Sequence, residues 1–117
     1  MSRQVRKHSL VEICIVTMSL EDRQVIEVQG TVDVYTAPRL KRALHDLLDE
    51  GHYRLEVNLE GVRDIDSSGL GVLIGTLKRC RENHGLLVLV LGPLVRRIFT
   101  LTGLIKVFQT REPADKK

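Results

Sequence analysis

Six consecutive apolar residues, Leu86 to Leu91, constrain the fold of this chain more than any other feature. Gly85 precedes the run, and the pair Gly92-Pro93 follows it. Apolar residues that do not alternate with polar ones are typical of a strand covered on both faces, so the run predicts a central strand of a sheet. The same run is far shorter than the roughly 20 apolar residues that a transmembrane helix needs.

Strands and helices alternate along the rest of the sequence. Leu40, Leu44 and Leu47 have the spacing of a helix face, whereas Leu55 and Val57 alternate with polar residues as in a strand. In chain order, the predicted elements are strands at 10–18 and 24–29 that form a hairpin, a helix that begins at Thr36 and is stopped by Gly51, a strand at 54–59, a linker at 60–65, a helix at 68–84, the strand at 86–91, a helix that begins at Gly92-Pro93 and is closed by Gly103, and a strand at 105–109.

The resulting order, β-β-α-β-α-β-α-β, predicts an α/β fold in which a mixed β-sheet with a parallel portion has its helices packed against it. A chain of 117 residues has room for one domain and one core. We expect the domain to occupy 10–110, with flexible extensions at 1–9 and 111–117, because both ends of the chain are polar.

The segment Asp66-Ser67-Ser68-Gly69-Leu70-Gly71 places a hydroxyl group at the start of a predicted helix. About four backbone N–H groups are unpaired at a helix N-terminus, where the helix dipole adds about half a positive charge. Such an end accepts a phosphate, so Ser67 is a candidate for reversible phosphorylation. Asp and Ser are also among the best helix-capping residues, and the spacing alone favours plain capping by Asp66 and Ser67.

Gly69, Gly71 and Gly75 resemble a dinucleotide-binding pattern only superficially, because they lie inside the helix with a spacing other than G-x-G-x-x-G. Glycine in a helix interior costs up to about 1 kcal/mol relative to alanine. Three of them favour a thin helix face that a neighbouring backbone or a partner approaches closely. The apolar stripe of the same helix is predicted to contain Leu70, Leu73, Ile74, Leu77 and Cys80.

The arrangement of polar residues does not indicate catalysis, and we expect no catalytic residue, no cofactor and no metal. The four histidines, His8, His45, His52 and His84, are all predicted to lie away from Ser67, so the serine lacks a base. No cluster of His, Cys and carboxylate groups shows metal-ligand spacing. The net charge of +3 comes from basic residues spread along the chain, which favours a solvated surface over direct nucleic-acid binding.

The two cysteines, Cys14 and Cys80, lack the spacing of a disulfide framework or a zinc site, and both are predicted to be small core residues. A reduced compartment is the simpler setting for such a chain. No signal peptide is visible in the sequence. We therefore expect a cytoplasmic protein without a membrane contact.

Three segments together resemble the STAS-domain anti-sigma factor antagonists of bacteria. They are Asp33-Val34-Tyr35-Thr36-Ala37-Pro38, the stretch from Asp66 to Leu73, and Leu101-Thr102-Gly103-Leu104-Ile105-Lys106-Val107-Phe108. The resemblance covers about 19–107, and the three segments occur in the family's order. It implies the STAS fold.

The resemblance also implies a function and a site. An antagonist of this family binds an anti-sigma factor that is also a serine protein kinase, and so releases the sigma factor to RNA polymerase. The kinase phosphorylates the serine directly after the aspartate, here Ser67, and the phosphorylated antagonist is expelled; a serine phosphatase would reverse the step. The partner-binding residues implied by the resemblance are Asp33, Thr36, Asp66, Ser67, Ser68, Gly69 and Gly71.

One position departs from the family pattern. The strand before the Asp33 loop reads Gly30-Thr31-Val32-Asp33, with Thr31 where the family usually has a glutamate. The departure makes the kinase assignment less secure than the fold. Two alternatives therefore stay open: a STAS docking module of a larger signalling or transport complex that does not switch, and a sensor that binds a nucleotide or another small ligand at the Ser67 loop.

Overall fold

The computed structural model describes residues 12–114, so the extension predicted at 1–9, the start of the first predicted strand and the last three residues lie outside it. Five strands and three helices follow one another in the predicted order. They are β1 (Ile13–Ser19), β2 (Gln24–Val32), α1 (Ala37–Asp49), β3 (Arg54–Ile65), α2 (Ser67–Glu82), β4 (Leu86–Val90), α3 (Pro93–Thr102), a 3₁₀ turn (Leu104–Lys106) and β5 (Gln109–Arg111).

The strands form one mixed sheet with the spatial order β1-β2-β3-β4-β5. β1 and β2 are antiparallel, as the predicted hairpin requires. The other three neighbouring pairs are parallel, and a helix connects the two strands of each pair. The predicted α/β fold is confirmed.

All three helices pack on the same face of the sheet, because every connection between parallel neighbours steps in the same direction and such crossovers share one hand. Alternate strand residues point into the core that lies between this face and the helices. Buried side chains of this core include Ile26, Val28, Leu55, Val57, Leu87 and Leu89 from the strands and Leu40, Leu44, Leu73, Leu77, Val95 and Phe99 from the helices.

β4 lies inside the sheet, between β3 and β5, as its unbroken apolar sequence predicts. The expectation that it is covered on both faces is met at Val90, which is 2% exposed, but is wrong for Leu86 and Val88, which are only half-buried. These two residues alternate with the buried Leu87 and Leu89, and the helices cover the face that Leu87 and Leu89 occupy.

β3 continues to Ile65, so the linker predicted at 60–65 is wrong. The alternation of apolar residues stops at Leu59 because the pairing of β2 with β3 shifts register twice, between Glu27 and Gln29 and between Gly30 and Thr31. After each irregularity the next buried residue is three positions away, at Val62 and then at Ile65. The extended strand brings the chain directly to Asp66.

The last strand is also displaced from its predicted position. Residues 104–106 form a 3₁₀ turn, and β5 begins at Gln109. Arg111 ends β5 and forms an ion pair with Glu56 of β3, so this residue of the predicted tail belongs to the sheet.

Two predicted core residues are exposed. Cys14 alternates with Ile13, and Ile13 faces the core, so the thiol of Cys14 lies on the opposite face of the sheet. Ile74 of α2 is 44% exposed, whereas Leu73, Leu77 and Cys80 are buried. Within 12–114, no helix is both long enough and apolar enough to cross a membrane.

Candidate functional site

Asp66 caps helix α2. Its backbone is extended, with φ −108° and ψ −171°, and its Oδ1 accepts hydrogen bonds from the N–H groups of Ser68 at 2.8 Å and Gly69 at 3.4 Å. Its carbonyl oxygen accepts the first helical bond, from Leu70 N–H at 3.0 Å. Two of the unpaired N–H groups at this helix end are thus bonded by one carboxylate.

Ser67 is the first residue of α2, and its side chain is exposed. Its hydroxyl group forms no hydrogen bond with any residue in the described range. The capping that the sequence attributed to Asp66 and Ser67 together is therefore performed by Asp66, which leaves the Ser67 hydroxyl free.

Asp33 and Thr36 form a tight turn ahead of α1. Asp33 Oδ1 accepts hydrogen bonds from Tyr35 N–H at 2.9 Å and Thr36 N–H at 3.1 Å. Thr36 Oγ1 accepts one from Asp33 N–H at 2.9 Å and donates one to the carbonyl oxygen of Thr31 at 2.8 Å. Thr36 is only 4% exposed, so its side chain fixes the shape of the turn from within.

The Asp33 turn and the start of α2 lie side by side at the carboxyl ends of β2 and β3. Val32 and Ile65 are register partners, and each directly precedes one of the two aspartates. The N–H group of Asp66 donates a hydrogen bond of 3.0 Å to the carbonyl oxygen of Val32. The sheet therefore holds the two sequence motifs next to each other.

Of the three glycines in α2, Gly69 is the one that neighbouring side chains approach closely. A Cβ atom there would lie 2.6 Å from Cγ1 of Val32 and 2.7 Å from Cγ1 of Ile65, which is closer than real Cβ contacts. At Gly71 and Gly75 an added Cβ would meet no atom within 4 Å. Of the three glycines only Gly69 is closely approached, and its neighbours are side chains of the sheet rather than the expected backbone, while Gly71 leaves the exposed side of α2 flat.

Apolar side chains are exposed in the Asp33 turn and on α2, and the sequence analysis did not assign them to the partner-binding site. In the Asp33 turn, Val34 is 60% exposed and Tyr35 is 82% exposed. On α2, Ser67, Gly71 and Ile74 follow one another at helical spacing and are all exposed. Large apolar groups exposed together are typical of a surface that binds another protein.

The titratable groups do not form a catalytic arrangement around Ser67. No hydrogen bond joins its hydroxyl to a base within 12–114, and no group of three or more His, Cys, Asp or Glu in that range has the geometry to hold a metal ion. His45 lies on α1, where partial burial and the charges of Arg79 and Lys41 lower its pKa. The site is a surface with a free hydroxyl group at its centre.

The chain is similar to proteins of known family. A model of the STAS domain matches residues 13–115. A protein of Staphylococcus epidermidis named anti-sigma-B factor antagonist is 36% identical over 102 residues, which are 86% of this chain and 94% of the relative.

Two solved structures are also similar. The crystal structure of an anti-sigma factor antagonist from Mycobacterium paratuberculosis has a TM-score of 0.75 and 30% sequence identity, with 87% of this chain and 86% of that chain covered. The Bacillus cell fate determinant SpoIIAA in its phosphorylated form has a TM-score of 0.66 and 19% identity, with 87% of this chain and 93% of that chain covered. At that identity, the second likeness shows the fold alone.

Proposed function

This chain belongs to the STAS domain family, and from that premise we propose that it is an anti-sigma factor antagonist whose binding is switched by phosphorylation of Ser67. The unphosphorylated protein binds an anti-sigma factor and so releases a sigma factor to RNA polymerase. The anti-sigma factor is also the serine kinase that modifies Ser67, and a serine phosphatase restores binding. The protein acts in the cytoplasm, where sigma factors meet RNA polymerase, and has no catalytic activity of its own.

The free hydroxyl group of Ser67 is the observation that carries this proposal. It is exposed at the N-terminus of a 16-residue helix that Asp66 already caps, so a kinase reaches it without breaking a hydrogen bond of the fold. The helix dipole favours the added negative charge, which is about 1.5 to 2 units at pH 7. The modified protein is therefore expected to stay folded while its surface changes.

The proposed binding surface consists of the two loops and the first turns of α2. Asp33, Asp66, Ser67, Ser68 and Gly71 supply groups that a partner contacts. Thr36 and Gly69 are buried and act by shaping the surface, since Thr36 holds the turn and Gly69 allows α2 to sit against Val32. The exposed side chains of Tyr35 and Ile74 extend the surface on either side of Ser67.

One phosphate is sufficient to release the partner. A thousandfold loss of affinity corresponds to about 4 kcal/mol. A dianion in a packed interface loses its bound water and repels any carboxylate of the partner that faces it. It also replaces the hydroxyl group of Ser67, so any hydrogen bond that this group donates to the partner is lost. Asp33 and Asp66 already make this edge of the sheet negative.

The test is to incubate the full chain with ATP and each anti-sigma factor encoded in the same genome, and to locate phosphate by mass spectrometry. We expect one phosphate on Ser67, none in Ser67→Ala, and loss of the complex as phosphate accumulates. In Ser68→Ala the phosphate should still be located on Ser67, because the neighbouring hydroxyl group is not the acceptor. The Ser67→Asp variant should bind at least about a hundredfold more weakly than wild type.

Two other outcomes would replace the proposal. Equal binding by wild type and Ser67→Asp, with no phosphate from any candidate kinase, would make the protein a docking module that does not switch. Saturable binding of ATP or GTP to the protein alone, abolished by Ser67→Asp, would make it a nucleotide sensor.

A further inference from the structure

Two arginines reach the same cavity next to the proposed binding surface. The cavity has a volume of about 520 Å³, and Arg39 and Arg63 line it together with Gln29, Gly30 and the first residues of β1. Arg39 lies in the first turn of α1, where its backbone N–H group donates a hydrogen bond to the carbonyl oxygen of Thr36 at 2.9 Å. Arg63 lies in β3, four residues before Ser67.

Neither guanidinium group is neutralised within the part of the chain that the structure describes. Arg23, Arg79 and Arg111 form ion pairs with carboxylates, whereas Arg39 and Arg63 form no ion pair and no side-chain hydrogen bond with residues 12–114. No carboxylate lines the cavity.

Asp64 lies next to Arg63 in β3 and forms no ion pair with it, and the aspartates at the ends of β2 and β3 are bonded elsewhere. Asp33 Oδ1 is bonded to the N–H groups of its own turn, and Asp66 Oδ1 is bonded to the N–H groups of α2. Two positive groups thus converge on one cavity, and neither is ion-paired with a carboxylate among residues 12–114. An arginine fork pairs best with a planar anion such as a carboxylate, to which it donates two parallel hydrogen bonds.

The cavity lies within reach of a partner that covers Ser67. Arg63 and Ser67 are separated by four residues at about 3.3 Å each, or about 13 Å. A specific protein interface buries about 800 Å² on each side, which corresponds to a patch about 30 Å across. The cavity is therefore close enough to Ser67 to belong to an interface of that size.

We propose that Arg39 and Arg63 bind carboxylate side chains of the anti-sigma factor and so select a partner that is acidic at this place; this inference rests on the proposed function.

The experiment uses the anti-sigma factor that binds the wild-type chain in the preceding test, and measures its dissociation constant over a series of salt concentrations. We expect the double variant Arg39→Glu/Arg63→Glu to bind at least about tenfold more weakly at low salt and to show a smaller salt dependence. The matched control is Arg97→Glu, since Arg97 is also exposed and without an ion pair among the described residues but lies on α3. Changing single exposed Asp or Glu residues of the anti-sigma factor to Lys should restore binding of the double variant at one or two positions.

The outcomes separate this inference from the function on which it rests. If the double variant binds within about twofold of wild type, or no more weakly than Arg97→Glu, while Ser67→Asp does not bind, the arginine contact is wrong and the switch stands. If wild type binds none of the anti-sigma factors, the proposed function fails and this inference fails with it. Circular dichroism of each variant verifies that the exposed substitutions leave the fold intact.

Discussion

Asp66 and Ser67 are neighbours that perform separate tasks, although either residue type is able to cap a helix. The carboxylate of Asp66 bonds the N–H groups of Ser68 and Gly69, whereas the hydroxyl group of Ser67 bonds no described residue. A side chain that forms no hydrogen bond within the fold can be modified without breaking one. The proposed phosphorylation of Ser67 would therefore leave the cap of α2 in place.

Substitutions at the two positions are expected to differ in their effect on stability. Asp66→Ala removes the cap and should lower the free energy of unfolding by about 1 kcal/mol, whereas Asp66→Asn should preserve it because asparagine caps equally well. Ser67→Ala should change it by less than about 0.5 kcal/mol, as at other surface positions. Urea denaturation of the three variants measures these differences, and an equal loss in Ser67→Ala and Asp66→Ala would contradict the separation.

His45 makes stability depend on pH. Partial burial, followed by the charges of Arg79 and Lys41, lowers its pKa below the ordinary 6.5, while Asp46 and Asp49 oppose the shift. The folded state thus favours the neutral ring. The stability that His45 contributes is present above about pH 6.5 and is lost as the pH falls through the lower pKa of the folded protein.

Urea midpoints measured across this pH range for wild type and His45→Gln test the assignment. Wild type should lose more stability than His45→Gln on acidification, because the variant has no group to protonate at this position. The comparison removes the contribution of the other histidines, which both proteins share. Parallel pH profiles for the two proteins would show that His45 does not carry the effect.

At the scale of elements, β3 shows where sequence reasoning reaches its limit. Residues 54–59 alternate regularly, and the sequence predicts that part of the strand correctly. Beyond Leu59 the two irregularities in the pairing with β2 change the spacing of buried residues from two to three, a pattern set by the neighbouring strand. A period of two along one strand cannot reveal a bulge that depends on its partner.

The sequence predicts only part of the candidate site, because some of its residues are recognised by contacts that local sequence does not show. Asp66 and Ser67 are recognised by residue type and spacing as the start of a helix, which alone favours capping, whereas the resemblance to the family is what assigns them and Asp33 to a site. Tyr35 and Ile74 were not assigned to it, because an apolar residue in a turn or on a helix gives no local sign that it is exposed. Ile74 in particular has the spacing of a core residue, and only the packing of α2 on the sheet shows which side is free.

Helix α2 offers a matched pair of glycines for testing that packing. Gly69→Ala should lower the free energy of unfolding by about 1 to 3 kcal/mol, because its Cβ would overlap the side chains of Val32 and Ile65. Gly75→Ala should raise it by up to about 1 kcal/mol, because alanine favours the helix and its Cβ meets no atom within 4 Å. Opposite signs in thermal or urea unfolding would confirm the arrangement, and a stabilising Gly69→Ala would refute it.

On the scale of the whole molecule, the placement of all three helices on one face divides the side chains into two environments. Ile13 and Cys14 are adjacent in β1, yet Ile13 is buried under the helices and Cys14 is exposed on the open face. Cys80 lies on the side of α2 that faces the core, and burial raises the pKa of its thiol. The two free cysteines therefore report separately on the surface and on the core.

The rate at which a thiol reagent labels Cys80 is expected to measure global unfolding. In the native protein Cys14 should react quickly with a thiol reagent, whereas Cys80 should react only when the helices separate from the sheet, since the reactive thiolate is disfavoured and the sulfur is covered. The variant Cys14→Ser isolates the slow reaction, whose rate should rise with urea in step with the unfolding transition. If Cys80 reacted as quickly as Cys14 in native buffer, α2 would open independently of the core, and the rigid support that the sheet and α2 give to Ser67 would be lost.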